Sequence, residues 1–276
     1  MPTVFSIPKP FEGAAATAQW NALRSWRALG DDVELLLFGD ESGVAQAARS
    51  LGARHEPRIK RTTYGTPLVS EAFARAAELV TGDVIVYANA DIIFLRDILS
   101  AVEHVSRLRA LAVGRRVDVT VDRELDFTGP WEQELRVLAG RGEHGTERQI
   151  DYMVFPRDVP WQMPPFAVGR PGWDNWVLYR ARRLGLPILD ATEVVLAVHQ
   201  SHAYEHVPHR RGERWRGPEW EAHKPHLREM GFAYGINDAT HVLTAAGVHR
   251  ALGLRHLKRR VLRLKPVGAL VARVRA

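Results

Sequence analysis

The sequence predicts an α/β protein: a single doubly wound, mainly parallel sheet flanked by helices, followed by a basic amphipathic C-terminal helical tail. Three observations carry this. Short apolar runs rich in β-branched residues alternate with segments whose apolar residues recur at helical spacing. The connections between them are short, and polar residues gather at the carboxyl ends of the apolar runs. The 276 residues divide into an expected ligand-binding domain over 1–238 and a tail over 239–276.

Residues 4–7 form a short apolar run that stops at Pro8, and Ala15, Ala18, Ala22, Trp26 and Leu29 then share one helical face. Asp31 and Asp32 turn the chain into a second buried strand over 33–38, with Gly39, Asp40 and Glu41 at its carboxyl end and a helix over 42–51 beyond. A third strand or loop spans 53–60, and 64–67 makes a turn. Leu68, Ala72, Phe73, Ala76, Leu79 and Val80 mark the next apolar helix face. Thr81, Gly82 and Asp83 open onto the apolar run 84–88, which suits a strand buried on both faces. It ends in Asn89-Ala90-Asp91. Ligands bind beyond the carboxyl ends of strands in open α/β sheets, so Asp91 is placed to anchor a metal or a phosphate-bearing ligand. The other reading is that it caps a helix over 92–105.

Past residue 105 the pattern predicts a strand pair or one long strand over 108–121, a short helix over 131–138, a mobile loop over 140–145 and a buried strand over 150–155. Gly169-Arg170-Pro171-Gly172 makes a turn, with Asp174 at the N-cap of a helix over 176–184. The run 194–198 is the last expected strand and ends at His199.

A hydrophobic content of 46% supports a sizeable core, and the absence of cysteine excludes disulfides and thiolate metal sites, leaving oxygen and imidazole as ligands. No apolar run approaches the ~18–20 residues that span a bilayer. The N-terminus lacks the basic-then-apolar pattern of a signal peptide, and the expectation is a cytoplasmic protein. The net charge of +6 is local. Nine of the 38 Lys and Arg lie in 239–276, where there is no Asp or Glu, so residues 1–238 hold 29 basic against 32 acidic side chains. This distribution favours an anionic surface near the tail over nucleic acid as the partner. In the tail, Leu254, Leu257, Val261 and Leu264 share a face among Arg255, Lys258, Arg259 and Arg263, and Pro266 ends or kinks the helix. Such a helix either lies on an anionic membrane surface, making the protein peripheral at the inner face, or packs on its own domain.

The α/β start, Asp40 after the second strand and Asn89-Ala90-Asp91 after a later one together resemble the GT-A class of nucleotide-sugar glycosyltransferases, family 2-like, over residues 3–206. That class carries an Asp-x-Asp motif here, whose last Asp binds a divalent cation bridging the donor diphosphate. This chain has Asn89 in the first position, which brings hydrogen bonds but no charge. The resemblance implies transfer of a sugar from a nucleotide-sugar donor to a hydroxyl of a glycan or lipid-linked glycan, with Mn²⁺ or Mg²⁺ as cofactor. It implies Asp91 as metal ligand and Ile7, Pro8, Asp40, Asn89 and Asp91 at the donor. Chemistry agrees, because a carboxylate-held cation stabilises the charge that accumulates on a departing diphosphate. Asp40 reads equally as a turn residue.

Asp174, between Trp173 and Trp176, resembles the acceptor-site acid that serves as general base in inverting members of the class. The indoles either stack on a sugar or sit in the core, and Asp174 is otherwise a cap. Six of the twelve histidines fall between His199 and His226. Some GT-A enzymes take a late His as a metal ligand, which points to His199 or His202. His202 and His206 are also spaced for a two-His helix site, without the carboxylate partner of a zinc protease. Arg61, Arg115 and Arg116 reach either phosphate or solvent. Two further functional readings stand beside this one: a non-catalytic nucleotide-sugar or carbohydrate-binding protein, and a glycosyltransferase that modifies nucleic acid.

Overall fold

The computed structural model describes residues 1–200 and 216–262. Side-chain alternation on the buried strands builds the molecule. β1 (Thr3–Ser6), β2 (Glu34–Phe38) and β4 (Val84–Ala88) are apolar on both faces, so each must be covered twice. On one face Val4, Leu35, Leu37, Val84 and Val86 meet α1 (Gly13–Arg27) and α2 (Val44–Leu51). On the other, Phe5, Leu36, Phe38, Ile85 and Tyr87 meet α3 (Val69–Leu79). Phe73 of α3 stacks on Phe155 with ring centroids 5.2 Å apart. Fully burying one such side chain contributes roughly 1.5–3 kcal/mol, so a charge at Leu36 would undo the packing of both neighbouring strands.

Between β2 and α3 lies β3 (Arg54–Glu56), and after β4 come β5 (Ile92–Phe94), α4 (Ile98–Leu108), β6 (Leu111–Val113) and β7 (Arg116–Val119). The chain continues through α5 (Trp131–Ala139), β8 (Glu143–His144), β9 (Tyr152–Pro156), α6 (Trp173–Arg183), β10 (Ile188–Asp190) and β11 (Ala197–Gln200). The last described elements are α7 (Pro218–Arg228), β12 (His241–Thr244), β13 (Gly247–Arg250) and α8 (Leu254–Leu262). Nine strands form the main sheet in the order β13-β12-β10-β6-β9-β4-β1-β2-β3. All run parallel except β9 and β13. The expected mainly parallel sheet flanked by helices is therefore what the chain forms. A second sheet, β5-β11-β7-β8, rests with α5 on its own apolar cluster around Ile93, Val117, Trp131 and Val198.

Several expectations give way. Residues 92–105 are not one helix: Ile92–Phe94 pairs antiparallel with β11 and the helix begins only at Ile98, so Asp91 stands between two strands and caps nothing. The segment 108–121 forms two strands, but they do not pair with each other: β6 joins the main sheet and β7 the small one. The expected loop over 140–145 includes β8, paired with β7. The run ending at His199 is not the last strand, because β12 and β13 extend the main sheet over residues 241–250, beyond the expected division at 238. The amphipathic helix starts at Leu254. No helix among the described residues is long and apolar enough to cross a membrane.

Candidate functional site

The turn before β4 fixes where its carboxyl end falls. Gly82 lies so close to the Met1 carbonyl oxygen that a Cβ there would come within 1.8 Å of it, and only glycine permits the approach. Five buried residues later the chain reaches Asn89 and Asp91. Asn89 does not face outward. Its Nδ2 donates to Asp151 Oδ1 at 2.7 Å, and its Oδ1 accepts from the Tyr87 hydroxyl at 2.7 Å. Both ends of the carboxamide are engaged inside the protein.

Asp91 is held by its backbone and left open at its side chain. Gln200, fully buried, donates from its backbone N–H at 3.3 Å and from Nε2 at 3.2 Å to the Asp91 carbonyl oxygen. The Asp91 carboxylate is 17% exposed; Oδ1 is buried without a hydrogen-bond partner, and Oδ2 lies 3.8 Å from His199 Nε2. Because β5 and β7 flank β11, the ring of His199 is caught between Asp91 and Asp118, whose Oδ1 is 2.7 Å from His199 Nδ1. An N–H donated from Nδ1 to Asp118 leaves the Nε2 lone pair toward Asp91.

Behind these groups runs a chain of charge. Arg116 lies 3.0 Å from Asp118 Oδ1 through Nε and donates from its Nη1 to Asp151 Oδ2 at 2.9 Å, which connects His199 to Asn89 through three side chains. Burial raises the Asp151 carboxyl above its ordinary range against the pull of Arg116, and the neighbouring Asp91 charge raises it further. Asp118 and Asp151 were not among the residues singled out from sequence. The alternation Arg116-Val117-Asp118-Val119, with the valines buried, was the available signal for Arg116 and Asp118 on one face. Asp151 offered only its position at the start of the expected buried strand.

Asp174 lies in the first turn of α6 rather than at its cap. The cap is Gly172, at φ +93°, where an added Cβ would also strike the Leu227 side chain of α7 at 2.8 Å. Burial, with the Asp151 charge, raises the Asp174 pKa to about 7, outweighing the opposing pull of the nearby Asn175 and Ile150 backbone N–H groups. Asp91, Asp151 and Asp174 all act electrostatically on the Tyr87 hydroxyl, which burial already raises well above its usual value. This places Asp174 in the same neighbourhood as the β4 end. Trp173 and Trp176 are 6% and 5% exposed and belong to the core, Trp173 edge-on to Tyr87 at 5.1 Å and Trp176 against Phe166 at 5.7 Å. The expectation that they stack on a sugar is corrected: β4, α3 and the 166–168 segment already cover them.

On the other side of β4, Ile7 and Pro8 are buried at the end of β1, and Asp40 follows β2. The Asp40 side chain is 69% exposed and ion-paired to Arg61, which also donates to Glu41 at 2.8 Å. Arg61 and Arg116 thus both act inside ion-pair networks rather than as solvated charges, and Arg115 donates to the Gly145 carbonyl oxygen at 2.8 Å. His202, like His206, lies outside the described residues. Among the described residues no three His, Asp or Glu side chains are grouped to hold a metal by themselves.

No family model matches the sequence, and no curated protein matches it. Among solved structures, glucosyl-3-phosphoglycerate synthase from Mycobacterium tuberculosis in complex with Mn²⁺, uridine diphosphate and phosphoglyceric acid is 17% identical, over 74% of this chain and 72% of that one, with a TM-score of 0.45. The same enzyme with Mg²⁺ and uridine diphosphate is 19% identical, over 74% and 73%, with a TM-score of 0.43. TarS 1–349 of S. aureus is 11% identical, over 73% of this chain and 58% of that one, with a TM-score of 0.41. These likenesses are distant, and the reading of the site rests on its own residues.

Proposed function

We propose that the chain is a GT-A-like glycosyltransferase, moving a sugar from a nucleoside-diphosphate donor to a hydroxyl of a glycan or lipid-linked glycan with Mn²⁺ or Mg²⁺ bound. The observation that carries this reading is Asp91. It offers a buried, unpartnered carboxylate oxygen beyond the end of a parallel strand, opposite an imidazole whose far nitrogen is fixed by Asp118. One carboxylate and one imidazole suit a small divalent cation that takes the rest of its shell from diphosphate oxygens and water. When bound, such an ion supplies Lewis-acid stabilisation to the departing diphosphate.

The chain's own groups divide the remaining work. Asp118 orients His199, and Gln200 holds the Asp91 backbone. Ile7, Pro8 and Asp40 border the base of the donor. Asn89 acts by positioning Tyr87 and Asp151 rather than by touching the donor. Asp174 takes the proton of the acceptor hydroxyl, a role for which a carboxyl near pH 7 is well matched.

A non-catalytic nucleotide-sugar-binding protein of the same fold is the second reading, favoured by the neutral and internally engaged Asn89. One experiment separates them. A panel of nucleotide sugars is offered with and without Mn²⁺, and release of nucleoside diphosphate is measured in parent and Asp174→Asn. Metal-dependent release that the variant loses supports transfer; tight binding of a donor without release, in parent and variant alike, supports the binding protein.

A further inference from the structure

Helix α8 is amphipathic and sits with its polar side inward. His256 is 2% exposed, with Nδ1 3.1 Å from the Asn237 carbonyl oxygen. Arg255 reaches the buried Asp190 at 2.7 Å, and Arg259 reaches the buried Asp238 at 2.8 Å. Anchored this way, the helix turns Leu254, Leu257 and Val261 to the outside, 77%, 41% and 52% exposed, with Leu252 at 61% just before them. At about 100° per residue the three helical positions fall in one sector about 60° wide. A helix that closes a core does the opposite, and a contiguous exposed apolar stripe marks an interaction surface.

One flank of the stripe opens on a basic cavity. It measures about 280 Å³ and is lined by Arg182 of α6, Thr240, His241 of β12, Arg250 of β13 and Arg260 of α8. Arg260 stands three residues from Leu257, so stripe and cavity adjoin. No carboxylate lines the cavity, and among the described residues neither Arg182 nor Arg250 has an ion-pair partner. Burial, together with Arg250 and Arg260, pushes His241 below its usual pKa. Three guanidinium groups around one cavity repel one another, and an oxyanion taking hydrogen bonds from them relieves the repulsion.

We propose that this end of the molecule docks on a membrane surface bearing anionic lipids, the α8 stripe lying at the acyl boundary and the basic cavity receiving a phosphate headgroup. Charge selects this occupant. Residues 239–276 contain no Asp or Glu, and beyond α8 the sequence goes on placing Arg263, Lys265, Arg273 and Arg275 among Leu264, Val267, Leu270 and Val271. A second copy packed on the same stripe would bring like charges together. The proposal does not depend on sugar transfer.

The test is flotation of the full chain with phosphatidylcholine vesicles, with and without phosphatidylglycerol. It compares the parent with Leu257→Ser/Val261→Ser and Arg182→Gln/Arg250→Gln, whose altered side chains are exposed and whose melting is checked. The expected result is binding only to the anionic vesicles, loss in the serine pair, and about 25-fold weaker partitioning in the glutamine pair, at about fivefold per charge. Equal binding to both vesicle types, or parent-like binding by both variants, overturns the proposal. So does light scattering that shows a dimer dissolved by the serine pair, which would make the stripe a self-interface. Calorimetric saturation by inorganic phosphate, unaffected by vesicles, would make the cavity a site for free anions instead.

Discussion

Asp91 and Asp174 bear on the same tyrosine from different elements, and their surroundings differ in kind. Asp91 follows a parallel strand, its backbone is clamped by Gln200, and one carboxylate oxygen meets no donor from the protein. Asp174 lies in the first turn of a helix, and burial lifts its carboxyl to about 7 against the pull of neighbouring backbone N–H groups. The first has unused acceptor capacity and therefore suits a permanent cation partner. The second ionises near neutrality, and therefore suits a proton that comes and goes. Two carboxylates that act on one tyrosine thus acquire separate tasks from their surroundings.

The largest expected effect falls on the Asp91 side. A chelator, or Asp91→Ala, should reduce nucleoside-diphosphate release to background while thermal melting is retained; release that survives either treatment would dissolve the distinction between the two acids. On the Asp174 side, Asp174→Asn should lower transfer by roughly 10²–10⁴-fold, with donor affinity held, since amide and acid are alike in size and only the acid takes a proton. Turnover that persists returns Asp174 to a structural role. Between these, Asp118→Asn should weaken Mn²⁺-dependent binding by about 10–100-fold, the usual scale for losing a group that orients a ligating histidine. Unchanged affinity would detach His199 from the cation.

How far this contrast was legible in the sequence depends on the range of the contacts. The run at 84–88 and the polar residues after it announced a buried strand and its ligand end, helical spacing announced α1 and α3, and the turn at 169–172 announced a helix just beyond Asp174. These are local signals. β5 was hidden because its three apolar residues read equally well as the start of α4, and only pairing with β11, about a hundred residues on, decides it. Asp151 and Asp118 were hidden for the same reason: their meaning lies in partners 35 to 81 residues away, Asn89, Arg116 and His199. The tryptophans were legible as large and apolar, but whether they face a ligand or the core was fixed by α3 and β4 packing against them.

A smaller effect sharpens the comparison from the side of stability. Asp174 holds its proton to about 7 in the folded chain against an ordinary 3.8. Between those values the folded state binds more protons than the unfolded one, so stability falls as pH rises, by at most about 1.4 kcal/mol per unit for one group. Asp174→Asn should remove that slope, melting above the parent at slightly alkaline pH and beside it in mild acid. Parallel melting profiles would show that the carboxyl is not raised. The smallest effect is expected at Asp40, exposed and already paired with Arg61. Asp40→Asn should change donor affinity by less than about fivefold, the range of an exposed ion pair; a larger loss would make Asp40 a principal donor contact.

The most direct test of the central claim, that Asp91 anchors a divalent cation for a diphosphate, is calorimetric titration of a nucleoside diphosphate panel into parent and Asp91→Ala, each with and without Mn²⁺. The account predicts that the parent binds one diphosphate only when Mn²⁺ is present and that the variant, still folded, does not bind it. Equal affinity in parent and variant with Mn²⁺ present would contradict it.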